Sequence, residues 1–169
     1  MIFKKLCSNI ETGPALEQIK RNPQLYGEFD LRTRGDSPHR ESKDIWFRFV
    51  RDNISEHSEA QWYTDLCPGV KDIAYKVMRE AECGELGGVL CTILPKGKKI
   101  YPHTDYGWHA ERYRKFYVPL QADEGSEFVF NGEAIPASIG DAWEFDNTHS
   151  HWVNNWSNRD RIVLIICMR

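Results

Sequence analysis

The chain has 169 residues, of which 41% are hydrophobic and 28% charged, and its net charge is −3. This length suits one domain with its own core. The lack of excess positive charge predicts no nucleic-acid partner. No stretch reaches the ~20 apolar residues of a membrane-spanning helix, which predicts no membrane partner. Five cysteines without a Cys-x-x-Cys pair predict free thiols in a reducing compartment, and hence a cytoplasmic location.

The first half of the chain predicts a support of helices, a loop and one strand. Residues 14–21 predict a short helix that ends near Asn22. The polar stretch 24–43, rich in Arg, Gly and Pro, predicts a loop that could act as a flap. Residues 44–51 alternate as a strand does. One face would carry Ile45, Phe47 and Phe49, and the other Trp46, Arg48 and Val50.

Residues 68–82 show the strongest helical periodicity in the chain. Pro68 stands at a position that a helix start tolerates, and Gly84 follows as a possible terminator. Apolar residues recur at the spacing of one helix face, so this helix should cover a sheet. The residues of this face are Val70, Ile73, Ala74, Val77, Met78 and Ala81.

From about residue 85 onward, short apolar runs alternate with turn residues. This pattern predicts about eight short strands and a mainly β fold, a cupin-like jelly roll with the N-terminal helices packed on one sheet. The chain is therefore expected to be a single domain, with residues 1–84 as support and substrate-side segment and 85–169 as core. The predicted strands are 88–94, 100–105, 115–121, 127–131, 134–137, 142–145, 151–155 and 161–168.

One candidate metal site lies within this β region. His103 and Asp105 stand two residues apart, so an extended strand over 100–105 would point both to the same face. His151, near the start of a later strand, could bring a second imidazole to the same place. Two His and one carboxylate form the facial triad of non-haem Fe(II) oxygenases. The alternative is that His103 and Asp105 form an exposed hydrogen-bonded pair.

Arg161 begins a strand that is apolar on both faces. By strand parity it shares one face with Val163, Ile165 and Cys167, and such a strand is expected to be buried on both sides. A buried guanidinium needs an anionic partner, which a dicarboxylate cosubstrate would supply. The alternative is an Arg at the mouth of the strand, solvated or paired with Asp160.

Three segments together resemble the aspartyl/asparaginyl β-hydroxylase family. They are Pro102-His-Thr, the run from Phe145 to His151, and the Arg ten residues after that His. The resemblance covers roughly residues 86–168. It implies a double-stranded β-helix that uses Fe(II), 2-oxoglutarate and O2, with His103 and His151 as iron ligands. Arg161 would hold the distal carboxylate of 2-oxoglutarate, with Lys115 and Tyr117 at further cosubstrate-binding positions.

The resemblance also implies a substrate class and shows one departure. The family's activity implies hydroxylation of an amino-acid side chain, in a peptide or protein rather than in a free amino acid such as proline. Asp105 occupies a position where animal aspartyl hydroxylases have Gly. The complete set of ligands is similar to that of proline hydroxylases with related cores.

Two other functions stay open: a cupin-type metalloenzyme that does not use 2-oxoglutarate, and a non-catalytic ligand-binding jelly roll.

Several further residues have both a functional and a structural interpretation. A substrate wall could be formed by Arg34, Arg40, Trp46 and Arg48, or Trp46 could be core and the three Arg residues solvated. His109 and His149 are expected to lie in loops or behind the ligands, because a triad needs no fourth protein ligand. Asp146 is expected to start a turn rather than to orient a ligand. Cys91 and Cys167 are expected to be small core residues.

Overall fold

The computed structural model describes residues 2–50, 62–136 and 138–169. Within these residues it has ten strands and three α-helices. No described helix is long and apolar enough to span a membrane. In chain order they are β1 (Phe3–Cys7), α1 (Gly13–Arg21), β2 (Lys43–Arg48), α2 (Pro68–Glu80), β3 (Leu86–Leu94), β4 (Lys98–His103), α3 (Trp108–Arg112), β5 (Arg114–Gln121), β6 (Ser126–Phe130), β7 (Glu133–Ile135), β8 (Ala142–Phe145), β9 (His151–Asn155) and β10 (Arg161–Met168).

The described strands form two antiparallel sheets. The larger has the order β1-β8-β5-β10-β3-β2, and the smaller the order β4-β9-β6-β7. From β3 to β10 successive strands lie in opposite sheets, except that β6 and β7 are neighbours in the smaller sheet. This is the double-stranded β-helix form of a jelly roll. The predicted mainly β fold is confirmed, and all eight predicted core strands form with ends shifted by a few residues.

The larger sheet is buried on both faces, as the apolar runs of β3 and β10 predict. On its outer face, Ile162, Leu164 and Ile166 of β10 pack in one cluster with buried residues of α1 and α2. On its inner face, Val163 packs against side chains of the smaller sheet. The predicted placement of the N-terminal helices on one sheet is confirmed.

Helix α2 forms where its apolar stripe predicts, but Gly84 does not end it. The helix ends at Glu80, and Glu82 adopts a left-handed φ of 52°. The amide of Cys83 donates to the carbonyl of Met78, and that of Glu82 donates to Arg79. This is a Schellman ending, which places the left-handed residue two positions before the glycine.

Strand β2 forms where the alternation predicts it, but it is shorter. It ends at Arg48 with an irregular register after Trp46, so the predicted alternation does not continue to Phe49. The Phe49 ring instead lies 5.2 Å from that of Trp46. Residue 51, the last of the predicted strand, lies outside the described residues, as does residue 137 of another predicted strand.

Two elements were not predicted from the sequence. Strand β1 pairs with β8 at one edge of the larger sheet, although residues 3–7 carry no clear alternation. Helix α3 lies in a stretch that was read as a loop. A third difference concerns the strand predicted over 100–105: β4 ends at His103, and Asp105 lies in the loop that follows.

Residues 28–42, which we call the flap, lie between α1 and β2 and contain no regular strand or α-helix. The amide of Gly27 donates to the carbonyl of Asp44, so the two ends of the flap lie close together. The amide of Tyr101 donates to the carbonyl of Pro38, which attaches the flap to β4. Because β4 is an edge strand of the smaller sheet, the flap covers an edge that would otherwise be open.

The close approach of α1 and α2 generates a stability prediction. A Cβ added at Gly69 would lie 2.9 Å from the backbone nitrogen of Ala15 and 3.1 Å from Oε1 of Gln18. We therefore expect Gly69→Ala to lower the free energy of unfolding by about 1–3 kcal/mol through overpacking, measured by urea denaturation. Gly84→Ala is the control, because no atom lies within 4 Å of its added Cβ. Equal stability of the two variants would contradict the prediction.

Candidate metal centre

His103, Asp105 and His151 lie together at one end of the smaller sheet. One nitrogen or oxygen atom from each side chain lies within 4.8 Å of the others. His103 ends β4 and His151 begins β9, and these two residues are direct partners in the antiparallel ladder. Their rings therefore stand side by side, with centroids 4.3 Å apart. The strand pairing alone places two of the three candidate ligands.

The hydrogen bonds of the two imidazoles leave the same nitrogen available on each. His103 Nδ1 lies 2.7 Å from the carbonyl of Tyr101, and His151 Nδ1 lies 2.8 Å from the carbonyl of His149. Because a carbonyl only accepts, each Nδ1 carries the proton, and each Nε2 presents a lone pair. Nε2 of His103 is buried and has no hydrogen-bond partner among the described residues. Metal-binding histidines have this arrangement.

Burial lowers the pKa of His151, and this effect outweighs the hydrogen bond to the His149 carbonyl, which raises it. The ring is therefore neutral at ordinary pH. A neutral imidazole is the form that binds a metal ion.

Asn147 holds Asp105 in place from two directions. Its carbonyl accepts from the amide of Asp105, and its side chain donates to Oδ2 at 2.7 Å. Desolvation raises the pKa of Asp105, but the hydrogen bond from Asn147 and the positive charge of Arg32 outweigh it and hold the pKa below its usual value. The carboxylate is therefore ionised, with Oδ1 3.7 Å from Nε2 of His103. Two imidazole nitrogens and a carboxylate oxygen suit Fe(II).

A cavity of about 690 Å³ extends from these three residues to the larger sheet. Arg161 lines it from β10 and is only 2% exposed. Its guanidinium donates to the hydroxyl of Tyr117 at 3.0 Å, while its Nε has no hydrogen-bond partner among the described residues. In the described part of the chain no carboxylate lies within salt-bridge distance of Arg161.

A buried cation without a protein anion is costly. This side of the cavity therefore fits an anionic group of a ligand, as a dicarboxylate would present. Asp160, the alternative partner considered for Arg161, instead accepts from the amide of Lys96.

Lys115 and Tyr117, both on β5, differ in their relation to the cavity. Lys115 lines it, is 6% exposed, and donates to His109 Nδ1 at 2.8 Å and to Cys167 Sγ at 3.1 Å. Tyr117 is fully buried and does not line the cavity. It is linked to the cavity through its hydrogen bond with Arg161.

Only one of the four candidate substrate residues lines the cavity. Trp46 does so, and its buried Nε1 has no partner among the described residues. Arg34 is exposed and does not line the cavity. Arg40 lies over the ring of Tyr101, 3.6 Å from its centroid, and Arg48 donates to the carbonyl of Leu86. The structure does not bring these two arginines to the cavity.

The remaining candidates lie near the ligands without joining them. His149 lies 3.3 Å from Oδ2 of Asp146, and the other oxygen of Asp146 accepts from the amide and hydroxyl of Thr148. Asp146 therefore forms the predicted turn. Cys91 packs in the core, as predicted, whereas Cys167 is buried but also lines the cavity.

Three residues at the site were not identified from the sequence. Asn147 positions Asp105, and Arg32 and His39 line the cavity from the flap. The Asp-Asn-Thr run indicated only a turn. Nothing in the local sequence connects His39 to His103, because the contact joins the flap to a distant strand.

The fold is similar to those of solved hydroxylases. One is a prolyl hydroxylase from Trichoplax adhaerens in complex with a hypoxia inducible factor peptide: TM-score 0.67, 13% identity, 98% of this chain and 82% of that chain. Another is the viral collagen prolyl hydroxylase of Paramecium Bursaria Chlorella virus-1 in a 2OG complex. Its TM-score is 0.62 and its sequence identity 14%, and the match covers 100% of this chain and 96% of that chain. A third is a Pseudomonas putida prolyl-4-hydroxylase. Its TM-score is 0.60 and its sequence identity 12%, and the match covers 99% of this chain and 92% of that chain. At these identities the likeness shows a shared fold.

A search of curated proteins finds no match to the sequence. The family model for aspartyl/asparaginyl β-hydroxylases, in contrast, matches residues 17–169, which is most of the chain. The resemblance inferred from the sequence is thereby confirmed. The chain belongs to the aspartyl/asparaginyl β-hydroxylase family and is a hydroxylase that uses Fe(II), 2-oxoglutarate and O2.

Proposed function

We propose that this enzyme hydroxylates an amino-acid side chain within a peptide or protein, at a metal centre formed by His103, Asp105 and His151. The observation that carries the proposal is that these three side chains share one cavity with the buried Arg161, which has no carboxylate partner among the described residues. A cupin-type metalloenzyme without 2-oxoglutarate would have no need for that cation. A pure ligand-binding jelly roll would have no need for three converging metal ligands.

The protein's contribution at the metal is to hold the ligands in their binding form. The two Nδ1–H groups are donated to backbone carbonyls, so both Nε2 atoms are directed to one place. Asn147 fixes the carboxylate of Asp105 and stabilises its charge. When bound, Fe(II) together with 2-oxoglutarate and O2 supplies the oxidation that inserts oxygen into a C–H bond.

The larger sheet supplies the cosubstrate end of the cavity. Arg161 would pair with the distal carboxylate of 2-oxoglutarate in a charge-assisted, two-bond arrangement. Tyr117 accepts from the same guanidinium, so we assign it the role of positioning Arg161. Lys115 adds a second buried cation on the same cavity wall, available to a carboxylate of the cosubstrate.

The mouth of the cavity supports a peptide rather than a free amino acid as substrate. Leu31 and Tyr106 line the cavity and are 50% and 91% exposed, so they stand at its rim. Exposed apolar side chains around an active-site opening suit contact with a chain that continues beyond the target residue. Trp46 would form part of the inner wall. Two similar structures are, by description, a complex with a peptide and a collagen hydroxylase. A free amino acid is the alternative.

We also propose a cytoplasmic location. All five cysteines are free thiols. Thiols that stay unpaired are typical of a reducing compartment.

We expect His103→Ala and His151→Ala to abolish binding of Fe(II), because each removes one of three protein ligands. Anaerobic calorimetric titration with Fe(II), or with Mn(II) as a stable substitute, measures the stoichiometry and affinity. His149→Ala is the control, because that side chain pairs with Asp146 while only its carbonyl holds His151. Unchanged stoichiometry in both ligand variants would refute the site.

We expect Arg161→Ala to weaken 2-oxoglutarate binding by about 2–5 kcal/mol, since it removes one side of a buried charge pair. Metal binding should stay, because Arg161 lies on the opposite sheet from the ligands. Arg159→Ala is the matched control, because Arg159 is exposed and pairs with Asp123. Titration of the Mn(II)-loaded protein with 2-oxoglutarate tests this. Parent-like affinity in Arg161→Ala would favour the enzyme without 2-oxoglutarate.

We expect the enzyme to add one oxygen atom to a residue within a peptide. Incubation of a peptide library with Fe(II) and 2-oxoglutarate, followed by mass spectrometry, would show the added mass and the residue that carries it. Succinate release should rise in the presence of the same peptides. A product found on a free amino acid, with none on any peptide, would favour the alternative substrate.

A further inference from the structure

We propose that His39 is a positioning residue for the metal ligand His103, and that Asp44 and Arg32 hold His39 in that role. The flap would then be part of the metal site and not only a cover over it. This inference rests on the proposed role of His103 as a ligand. It assigns a function to three residues outside the ligand set.

The chain of contacts begins at a buried carboxylate. Asp44, on β2, is 1% exposed, and its Oδ1 accepts from the hydroxyl of Thr92 at 3.1 Å. Its Oδ2 has no hydrogen bond among the described residues but lies 3.5 Å from Nε of Arg32. A buried carboxylate needs a nearby cation. The charge of Asp44 therefore fixes where the guanidinium of Arg32 can lie.

Arg32 in turn fixes the ring of His39. One terminal nitrogen of its guanidinium lies 2.7 Å from Nδ1 of His39 and 3.3 Å from Nε2. Because a guanidinium only donates, the nearer ring nitrogen, Nδ1 of His39, accepts the hydrogen bond and carries no proton. The Arg32 side chain thus reaches from the carboxylate of β2 to the nitrogen edge of the His39 ring, and restrains that ring from one side.

The ring of His39 also contacts the ring of His103. The two rings are 4.6 Å apart between centroids and inclined at 76°, an edge-to-face contact. The residue before His39 contributes as well, because the carbonyl of Pro38 accepts from the amide of Tyr101. The carbonyl of Tyr101 holds Nδ1 of His103. The flap therefore supports both the ring of the ligand and the backbone that orients it.

These contacts cross the cavity from one sheet to the other. Asp44 and Thr92 belong to the larger sheet, whereas His103 belongs to the smaller one. The separation between the sheets on this side is thus linked to the orientation of one ligand. Groups behind a metal ligand affect affinity because they reduce the number of orientations that the ligand adopts, and their removal weakens metal binding about 10–100-fold.

A purely structural flap is the competing explanation. In that case the flap covers the edge of β4, and its side chains would affect folding without affecting the metal. The two explanations differ at His39, because the backbone bond between Pro38 and Tyr101 would survive replacement of the His39 side chain. Loss of metal affinity without loss of the fold separates them.

The experiment compares Co(II) affinity under anaerobic conditions among the parent, His39→Ala, His39→Phe and Arg32→Lys. His39→Phe keeps a ring against His103 but cannot accept from Arg32. Arg32→Lys keeps a positive charge for Asp44 but loses the planar guanidinium. Arg34→Ala, an exposed arginine of the same flap, is the matched control. Thermal unfolding of each apo-protein measures the effect on the fold.

We expect His39→Ala to bind Co(II) about 10-fold more weakly than the parent, with a shifted ligand-field absorption band and an apo-protein that still unfolds cooperatively. His39→Phe and Arg32→Lys should change affinity in the same direction, and Arg34→Ala should match the parent. Parent-like affinity in any folded His39 variant would overturn the proposal. Failure of the parent itself to bind Co(II) would instead refute the proposed metal centre.

Discussion

The pairing of β4 with β9 is the constraint on which the site depends. Because His103 and His151 are partners in that ladder, after a register irregularity between Ile100 and His103, their rings lie side by side. Each ring then donates Nδ1–H to a carbonyl two residues earlier in its own chain segment. A shift of one residue in register would turn one imidazole to the other face of the sheet. The convergence of the two proposed histidine ligands is thus a consequence of strand register.

The two sheets divide the chemistry between them. The smaller sheet carries the two proposed histidine ligands, while the larger carries Arg161 and Lys115. The helices α1 and α2 cover the outer face of the larger sheet. Its inner face is then a fixed wall, and Arg161 keeps one orientation through its bond to Tyr117. Binding of a dicarboxylate needs little rearrangement of such a wall.

The flap contributes residues both beside the proposed metal ligands and at the entrance of the cavity. It contributes His39 beside the metal ligands and Leu31 at the rim, so one segment contacts both the metal centre and the entrance. Its attachment to β4 and to Asp44 holds these residues relative to both sheets. A substrate that moves the flap would therefore also change the surroundings of His103. The flap therefore takes part both in the proposed binding of the peptide and in the proposed positioning of His103.

The sequence by itself determined the positions of the eight core strands, the amphipathic helix α2, the two-sided burial of β10 and the ligand residues proposed here. Periodic burial and residue chemistry are local properties, so a single chain displays them. Only the tertiary structure decided that Asp105 lies beyond the end of β4 and is held by Asn147, and that Arg40 and Arg48 lie away from the cavity. It also decided the contact of His39 with His103. These features depend on hydrogen bonds and packing between segments distant in sequence, which no local pattern encodes.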